Sequence, residues 1–229
     1  MRSQLELAVG CRARTAALLV IPPLGAVLVA LASRREGLYR LLVREDAVLE
    51  WAQVLAYVLA VALGVVGGPR LWRRGERAGT AVVVVLAAAA ALSAGEEIAW
   101  GQRIFGFGTP ELFAENQQGE TTLHNDPALE LPSRVALLLA GLYGVATPIA
   151  VRASTPLTPP RALISFFAVV VAYFAFRLLF LHHPTYVEAK YSEWPEFCLA
   201  FATAYWCAAV ATRNDRGDAE HASTHNAGE

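Results

Sequence analysis

The residues best suited to chemistry lie in the segment 95–103, where Gly-Glu-Glu-Ile-Ala-Trp-Gly-Gln-Arg closes a long apolar stretch. On a continuous helix Glu96 and Arg103 would share one face, with Glu97 beside them. A carboxylate buried beside others can act as a general base or as a metal ligand. We therefore predict that Glu96 or Glu97 is the base of a hydrolytic site. Arg103 or Arg177 would hold a substrate anion or stabilise developing negative charge.

Other polar residues gather at the helix ends that we place on the same side. An ionisable residue inside a membrane is costly unless it is paired, and it often marks a functional site. The predicted members of this polar pocket are Asp46, Glu50, Gln53, Trp100, Gln102, Asn116, Gln118, Glu120, Asn125, Lys190, Glu193 and Glu196. A purely structural role, in which these carboxylates pair with Arg103, Arg177 and Lys190, is the alternative.

The histidine and carboxylate side chains of this region could bind a divalent metal ion. His124 with Glu96 or Glu97 could bind zinc, and the pair His182 and His183 could add nitrogen ligands. Calcium would suit a set of oxygen ligands instead, namely Asp46, Glu50, Glu96 and Asn116. The sequence contains no H-E-x-x-H pattern. Zinc and calcium therefore both stay open.

The elements that position these residues are predicted to be transmembrane helices. Of the 229 residues, 55% are hydrophobic, and the mean hydropathy is +0.41. Because a helix of about 20 apolar residues crosses the hydrocarbon core of a bilayer, we predict an all-α bundle of about six spans. We place the spans at 15–33, 46–67, 78–99, 134–152, 161–182 and 191–212. They form one domain, 1–212, with an outer loop at 104–132 over the site and a disordered tail at 213–229.

Charge predicts how this bundle is oriented. Eleven Lys and Arg residues fall on the face that carries both termini and eight on the other, which favours cytoplasmic termini in a plasma membrane. Fourteen of the 20 acidic residues fall on the outer face. The net charge is −1 and no basic stripe is present, so we expect the lipid bilayer and no nucleic acid as a partner.

Two resemblances add to this interpretation. The motif Glu96-Glu97-x-x-Trp100-Gly101-Gln102-Arg103, followed by Asn116-x-Gln118-x-Glu120 and Leu123-His124-Asn125, resembles a group of uncharacterised bacterial polytopic membrane proteins. This resemblance implies that the motif residues form one unit. At the level of protein class only, the chain is also distantly similar to alkaline ceramidases. These enzymes have seven spans, a His-bound zinc and an acidic cluster near one membrane face. The six predicted spans and the lack of a His-x-x-x-His pair in the last helix depart from that class.

Three hypotheses for function follow. The first is an intramembrane hydrolase, with or without a metal, that opens to the outer face and acts on a lipid or another amphipathic substrate. The second is a proton- or cation-coupled transporter or an ion-binding protein that uses the polar stripe from Asp46 to Tyr57. An apolar inner half counts against a continuous pathway. The third is a non-catalytic membrane module that binds a partner through the loop 104–132.

Overall fold

The computed structural model describes residues 2–44, 46–114, 116, 119–124, 126–151, 155–181 and 190–213. Its helices are α1 (Arg2–Ala32), α2 (Glu36–Leu42), α3 (Val48–Arg73), α4 (Arg77–Glu97), α5 (Gln102–Phe105), α6 (Glu130–Ala150), α7 (Ile164–Phe180) and α8 (Glu193–Ala211). Single 3-10 turns occur at Ala99–Gly101, Glu111–Phe113 and Arg161–Leu163. These ranges contain no strand, so the predicted all-α class is confirmed.

Five helices are long and apolar enough to cross a membrane, as judged by length and composition. They are Thr15–Ala32, Val48–Arg73, Arg77–Glu97, Glu130–Ala150 and Arg161–Phe180, and they match the first five predicted spans. Large apolar side chains cover their outer surfaces, for example Leu55, Val65 and Leu139. A helix that is apolar on all sides is typical of a membrane span. The fold is thus consistent with a membrane protein.

The sixth predicted span corresponds to α8, which is not among those five helices. It has 19 residues and opens with two carboxylates, Glu193 and Glu196. Its buried face is extensive, with Cys198 and Ala202 fully enclosed and Trp206 nearly so. Because its neighbours shield it, α8 has less need of a uniformly apolar surface than the peripheral helices. Its membrane crossing stays a prediction.

Helix packing combines helices that are consecutive in the chain with helices that are far apart in it. Helix α3 packs along α4 and along α8, while α6 packs against α7, and α7 also contacts α1 and α8. The three helices α3, α4 and α8 therefore bring one end of each together. We call this end, marked by Glu50, Glu97 and Glu193, the acidic end. The opposite end, marked by Arg70 and Arg161, is the basic end.

Several predicted boundaries differ from the structure. Helix α3 continues to Arg73 rather than ending at 67. Its last turn carries Arg70 and Arg73 at the water boundary, where their positive charge is stabilised by the negative end of the helix dipole. The predicted loop 104–132 is shortened at both ends, because α5 runs to Phe105 and α6 starts at Glu130. The predicted disordered tail lies outside the described residues from 214 onward.

The contact between α6 and α7 depends on a glycine and gives a first testable prediction. A Cβ added at Gly144 would lie 2.1 Å from Cγ of Phe167, which is itself buried. We expect Gly144→Ala to lower the free energy of unfolding by about 2 kcal/mol, because overpacking forces side chains off their rotamers. Reversible unfolding in detergent measures this. The matched control is Gly68→Ala, because a Cβ added at this helical glycine would meet no atom within 4 Å beyond its own stretch of helix. Equal stability of the two variants would contradict the prediction.

Candidate functional site

The chain reverses sharply where α4 ends at Glu97. Ala99, Trp100 and Gly101 have φ values of 46°, 52° and 88°, so three successive residues adopt left-handed backbone. Such values are unfavourable for residues with a Cβ and need support from their surroundings. Part of that support comes from Trp100, whose Nε1 donates a hydrogen bond of 2.7 Å to Oε1 of Glu96. The prediction that Glu96 and Arg103 share one helix face is therefore wrong, because the helix ends between them.

Arg103 instead lies on α5 and joins three carboxylates from different parts of the chain. Its Nη1 is 2.5 Å from Oε1 of Glu50 and 3.3 Å from Oδ1 of Asp46, and its Nε is 2.8 Å from Oε1 of Glu120. Burial lowers the pKa of Arg103, but the hydrogen bonds to Glu120 and Glu50 outweigh it and raise the pKa above its ordinary value. The guanidinium of Arg103 is thus paired with carboxylates in the folded protein, and its predicted role as an anion holder stays a prediction.

Glu96 fastens the far side of the loop to α4. Its Oε2 accepts hydrogen bonds from the backbone N–H groups of Leu123 at 2.6 Å and His124 at 3.1 Å. The same oxygen is 3.1 Å from Nδ1 of the His124 ring. With Trp100 on Oε1, both oxygens are engaged. Glu96 therefore works as a latch that holds the loop against α4, and the predicted general-base role of Glu96 or Glu97 stays a prediction.

Two amide side chains order the rest of this loop. Oε1 of Gln102 accepts hydrogen bonds from the N–H of Thr121 at 2.7 Å and from its hydroxyl at 2.9 Å. Nδ2 of Asn116 donates to the carbonyl of Thr122 at 2.8 Å, and its Oδ1 accepts from the N–H of Glu120 at 3.2 Å. The structure thus brings together most of the motif residues. The two threonines were missed in the sequence, because only the fold reveals that Thr122 is fully buried.

A second polar group lies deeper, between α3 and α8. Gln53 is fully buried, and its Nε2 donates to Oε2 of Glu193 at 2.8 Å and to the Glu193 carbonyl at 3.3 Å. Lys190 pairs with the other oxygen of Glu193 at 3.0 Å. Glu97 and Glu196 are close enough to interact electrostatically with Glu193. These elements therefore concentrate several carboxylates around one buried amide.

Other predicted site residues do not join these groups within the part of the chain that the structure describes. Arg177 is 5% exposed, and its Nη1 has no hydrogen-bond partner there; its electrostatic neighbours are Tyr173 and Arg134. Its predicted role as an anion holder stays a prediction. Four further predicted residues lie outside the described residues, namely Gln118, Asn125, His182 and His183.

The space at the acidic end is small. A cleft bordered by Glu50, Glu97 and Arg103 has about 10 Å³ available to a water molecule. That is room for roughly one water. No group of three His, Cys, Asp or Glu residues among those described is arranged to hold a metal ion. Of the predicted zinc ligands, Glu96 and His124 are in contact.

The predicted calcium ligands also have other partners in the structure. Asp46 and Glu50 bind Arg103, whereas Asn116 bonds to Thr122 and Glu120. Glu96, the fourth, holds the loop backbone. The zinc and calcium hypotheses both stay predictions.

His124 makes the latch sensitive to pH. Partial desolvation of the half-exposed ring lowers the pKa of its imidazole, but the hydrogen bond to Glu96 and nearby carboxylates outweigh this and raise the pKa above its ordinary value of 6.5. A raised pKa in the folded protein means that protonated His124 stabilises the closed loop. This contribution is complete below pH 6.5 and is lost as the pH rises through the folded pKa.

We accordingly expect the closed loop to weaken as the pH is raised from about 6 to about 9. Hydrogen exchange at the Leu123 amide, corrected for the intrinsic effect of pH, measures this. His124→Gln keeps a polar side chain without a proton to lose, so its corrected protection should not change over that range. A wild-type loop equally protected at both ends of the range would rule out the pH dependence.

These features define a helical protein with five membrane-length helices and a cluster of buried ionisable residues at one end. No protein-family model, curated protein or solved structure matches the chain. The resemblance to bacterial polytopic membrane proteins stays an interpretation of the motif residues, and function must be argued from the site itself.

Proposed function

We propose that this is an integral membrane protein whose acidic end binds a proton or a small cation between α3, α4 and α8. The observation that carries the proposal is the state of Gln53. Its side chain is fully buried, yet its Oε1 has no donor among the described residues. A buried acceptor without a partner costs about 1–3 kcal/mol, so a ligand that supplies positive charge or a proton would be stabilised there.

Rotating the Gln53 amide does not remove this need. In the alternative orientation, Oε1 would face the carboxylate of Glu193, which now accepts a hydrogen bond from Nε2. Two acceptor oxygens in contact require a proton or a cation between them. Both orientations of the amide therefore support the same type of ligand.

The charge balance around Gln53 also favours this proposal. The carboxylates of the acidic end outnumber the four permanent cations near them, Arg103, Arg134, Arg177 and Lys190. These carboxylates are Asp46, Glu50, Glu97, Glu120, Glu193 and Glu196. In a low-dielectric environment, uncompensated like charges disfavour full ionisation and favour binding of protons or cations.

The inner halves of α3 and α4 favour binding over conduction. Residues 58–69 of α3 and 81–92 of α4 carry no polar side chain. A transport pathway needs polar positions through both halves of the membrane. We infer that the ion enters and leaves through the acidic end.

Thermal stability of the purified protein tests the proposal. At constant ionic strength, with choline as the balancing ion, Tm should rise with the concentration of one cation among Na⁺, K⁺ and Ca²⁺, or else with proton concentration. The pH series is run in the His124→Gln background, so that the latch does not contribute. Glu97→Gln and Gln53→Leu should each abolish the response.

The matched control is Glu36→Gln, which removes an exposed carboxylate paired with Arg40 on α2. It should keep the wild-type response. A wild-type Tm that is independent of pH and of every cation would overturn the proposal. A response retained in both Glu97→Gln and Gln53→Leu would equally count against it.

Intramembrane hydrolysis of a lipid-like substrate is the second candidate function. It is favoured by His124, whose contacts suit a general base. Nδ1 of His124 contacts Glu96, and the side chain is 47% exposed. If Nδ1 carries the proton, Nε2 is free to accept one from water. The hydrolase then depends on His124 as base, and His124→Ala would abolish lipid hydrolysis while leaving cation-dependent stability intact.

We also propose that the acidic end is extracytoplasmic and that both termini are cytoplasmic. The distribution of arginines supports this orientation. A topology reporter fused after position 125 should be active outside the cytoplasm, and one fused after position 73 inside it. The opposite pattern would reverse the orientation.

A further inference from the structure

A cavity lies at the basic end, far along the bundle from the carboxylates. Its volume is about 180 Å³, and it opens between the end of α6, the segment that leads into α7, and the end of α8. The wall includes Pro148, Thr155, Thr158, Arg161, Trp206 and Arg213. Because drug-sized ligands need about 300 Å³ or more, this cavity suits a smaller group.

Two arginines give the cavity its charge. Nε of Arg161 donates to the carbonyl of Pro148 at 3.1 Å, and its two terminal nitrogens make no hydrogen bond to the described residues. Nη1 of Arg213 is 3.6 Å from a carboxylate oxygen of Glu76. Arg74 donates to the Arg213 carbonyl at 3.1 Å and so adds positive charge nearby. Of these groups, Arg161 is the one available for an anion.

Trp206 supplies an independent indication of a ligand. It is 3% exposed and forms part of the cavity wall, but its Nε1–H has no acceptor within the described chain. A buried indole N–H normally finds a partner. The ring is fixed by stacking on Tyr143, with 6.2 Å between centroids, and the Tyr143 hydroxyl donates to the Leu157 carbonyl. The indole is therefore a rigid donor that has no acceptor among the described residues.

We propose that this cavity binds a phosphate group, held by the guanidinium of Arg161 and the indole N–H of Trp206. Arginine binds phosphate with two parallel hydrogen bonds, and the hydroxyls of Thr155 and Thr158 can add donors. The phosphate could belong to an anionic lipid headgroup or be free in solution. Basic pockets between transmembrane helices commonly take anionic headgroups, and the proline-rich wall could accommodate the apolar part of a lipid.

Native mass spectrometry of the full chain, released from zwitterionic detergent, tests the proposal. The probes are phosphatidylglycerol, phosphatidylcholine and inorganic phosphate, each titrated separately. One phosphatidylglycerol should bind with at least tenfold preference over phosphatidylcholine. Arg161→Gln should weaken that binding about tenfold, which corresponds to the loss of a strong charged contact. Trp206→Phe, which keeps an aromatic ring and removes the N–H, should weaken it about fivefold.

Arg73→Gln is the matched control, because Arg73 is exposed at the same end and does not line the cavity. It should bind as the wild type does. If inorganic phosphate binds and competes with phosphatidylglycerol, the site takes free phosphate as well; if it does not, the site takes the lipid headgroup. Equal losses in Arg73→Gln and Arg161→Gln, or no selective binding of either phosphate source, would overturn the proposal.

Discussion

Replacing Arg103 with Gln should lower the free energy of unfolding by about 3 kcal/mol, because it leaves buried carboxylates without their cation. The side chain of Glu50 is only 8% exposed, and that of Glu120 is 15% exposed. Both are hydrogen-bonded to Arg103 in the folded protein. Chemical unfolding at neutral pH, followed by circular dichroism, measures the loss.

The contrast with an exposed ion pair makes this prediction specific. Arg40 pairs with Glu36 on α2, where the side chains are 61% and 76% exposed. Arg40→Gln should change stability by less than about 0.5 kcal/mol, since water screens exposed pairs. The double variant Arg103→Gln with Glu50→Gln should recover part of the loss, because one unpaired charge is removed. An Arg103→Gln protein as stable as Arg40→Gln would show that the three carboxylates do not depend on Arg103.

Replacing Glu96 with Gln should open the loop while leaving the helices folded. A glutamine presents one acceptor and one donor, whereas the carboxylate accepts from Trp100 on one oxygen and from Leu123 and His124 on the other. One of these donor groups must lose its acceptor in either amide orientation. We expect local closure to weaken by about 2 kcal/mol, which accelerates exchange of the loop amides about 30-fold.

The amides of Glu120 and Thr121 are the best reporters of this opening. They bond to Asn116 and Gln102 rather than to Glu96, so faster exchange there reports loop motion and not the loss of the acceptor itself. Glu111→Gln, in the exposed turn Glu111–Phe113, is the control and should exchange as the wild type does. Unchanged protection of both reporters in Glu96→Gln would mean that the latch is dispensable.

The helices were predictable because their signal is local. Apolar blocks of membrane length are visible in the sequence without knowledge of any contact, and five of them are membrane-length helices in the structure. The polar stripe on α3 was also visible, and Glu50, Gln53 and Tyr57 are all buried. Burial at this spacing follows from helical periodicity alone.

The site was harder to predict because it depends on a turn and on contacts between distant residues. Neither Ala99 nor Trp100 signals a left-handed backbone, so the helix was extended through them. The partners of Arg103 include Glu50, which is 53 residues away in the chain. Adjacent positions in the sequence do not reveal that Glu96 binds the loop backbone whereas Glu97 interacts with Glu193 and Glu196.

The paired ends of the loop have a practical consequence for work with this protein. Gln102 bonds to Thr121, Arg103 to Glu120, and Thr109 to the carbonyl of Gly119, so the chain leaves the bundle and returns to it through neighbouring contacts. Near its outermost part, Gly106 and Gly108 have open space around them, and Leu112 is 85% exposed. Extra residues inserted at Gly108 should cost little, because lengthening a loop whose ends are already held adds only a small entropy term. An affinity tag or a fluorescent label could therefore be placed there to follow the protein from its acidic end.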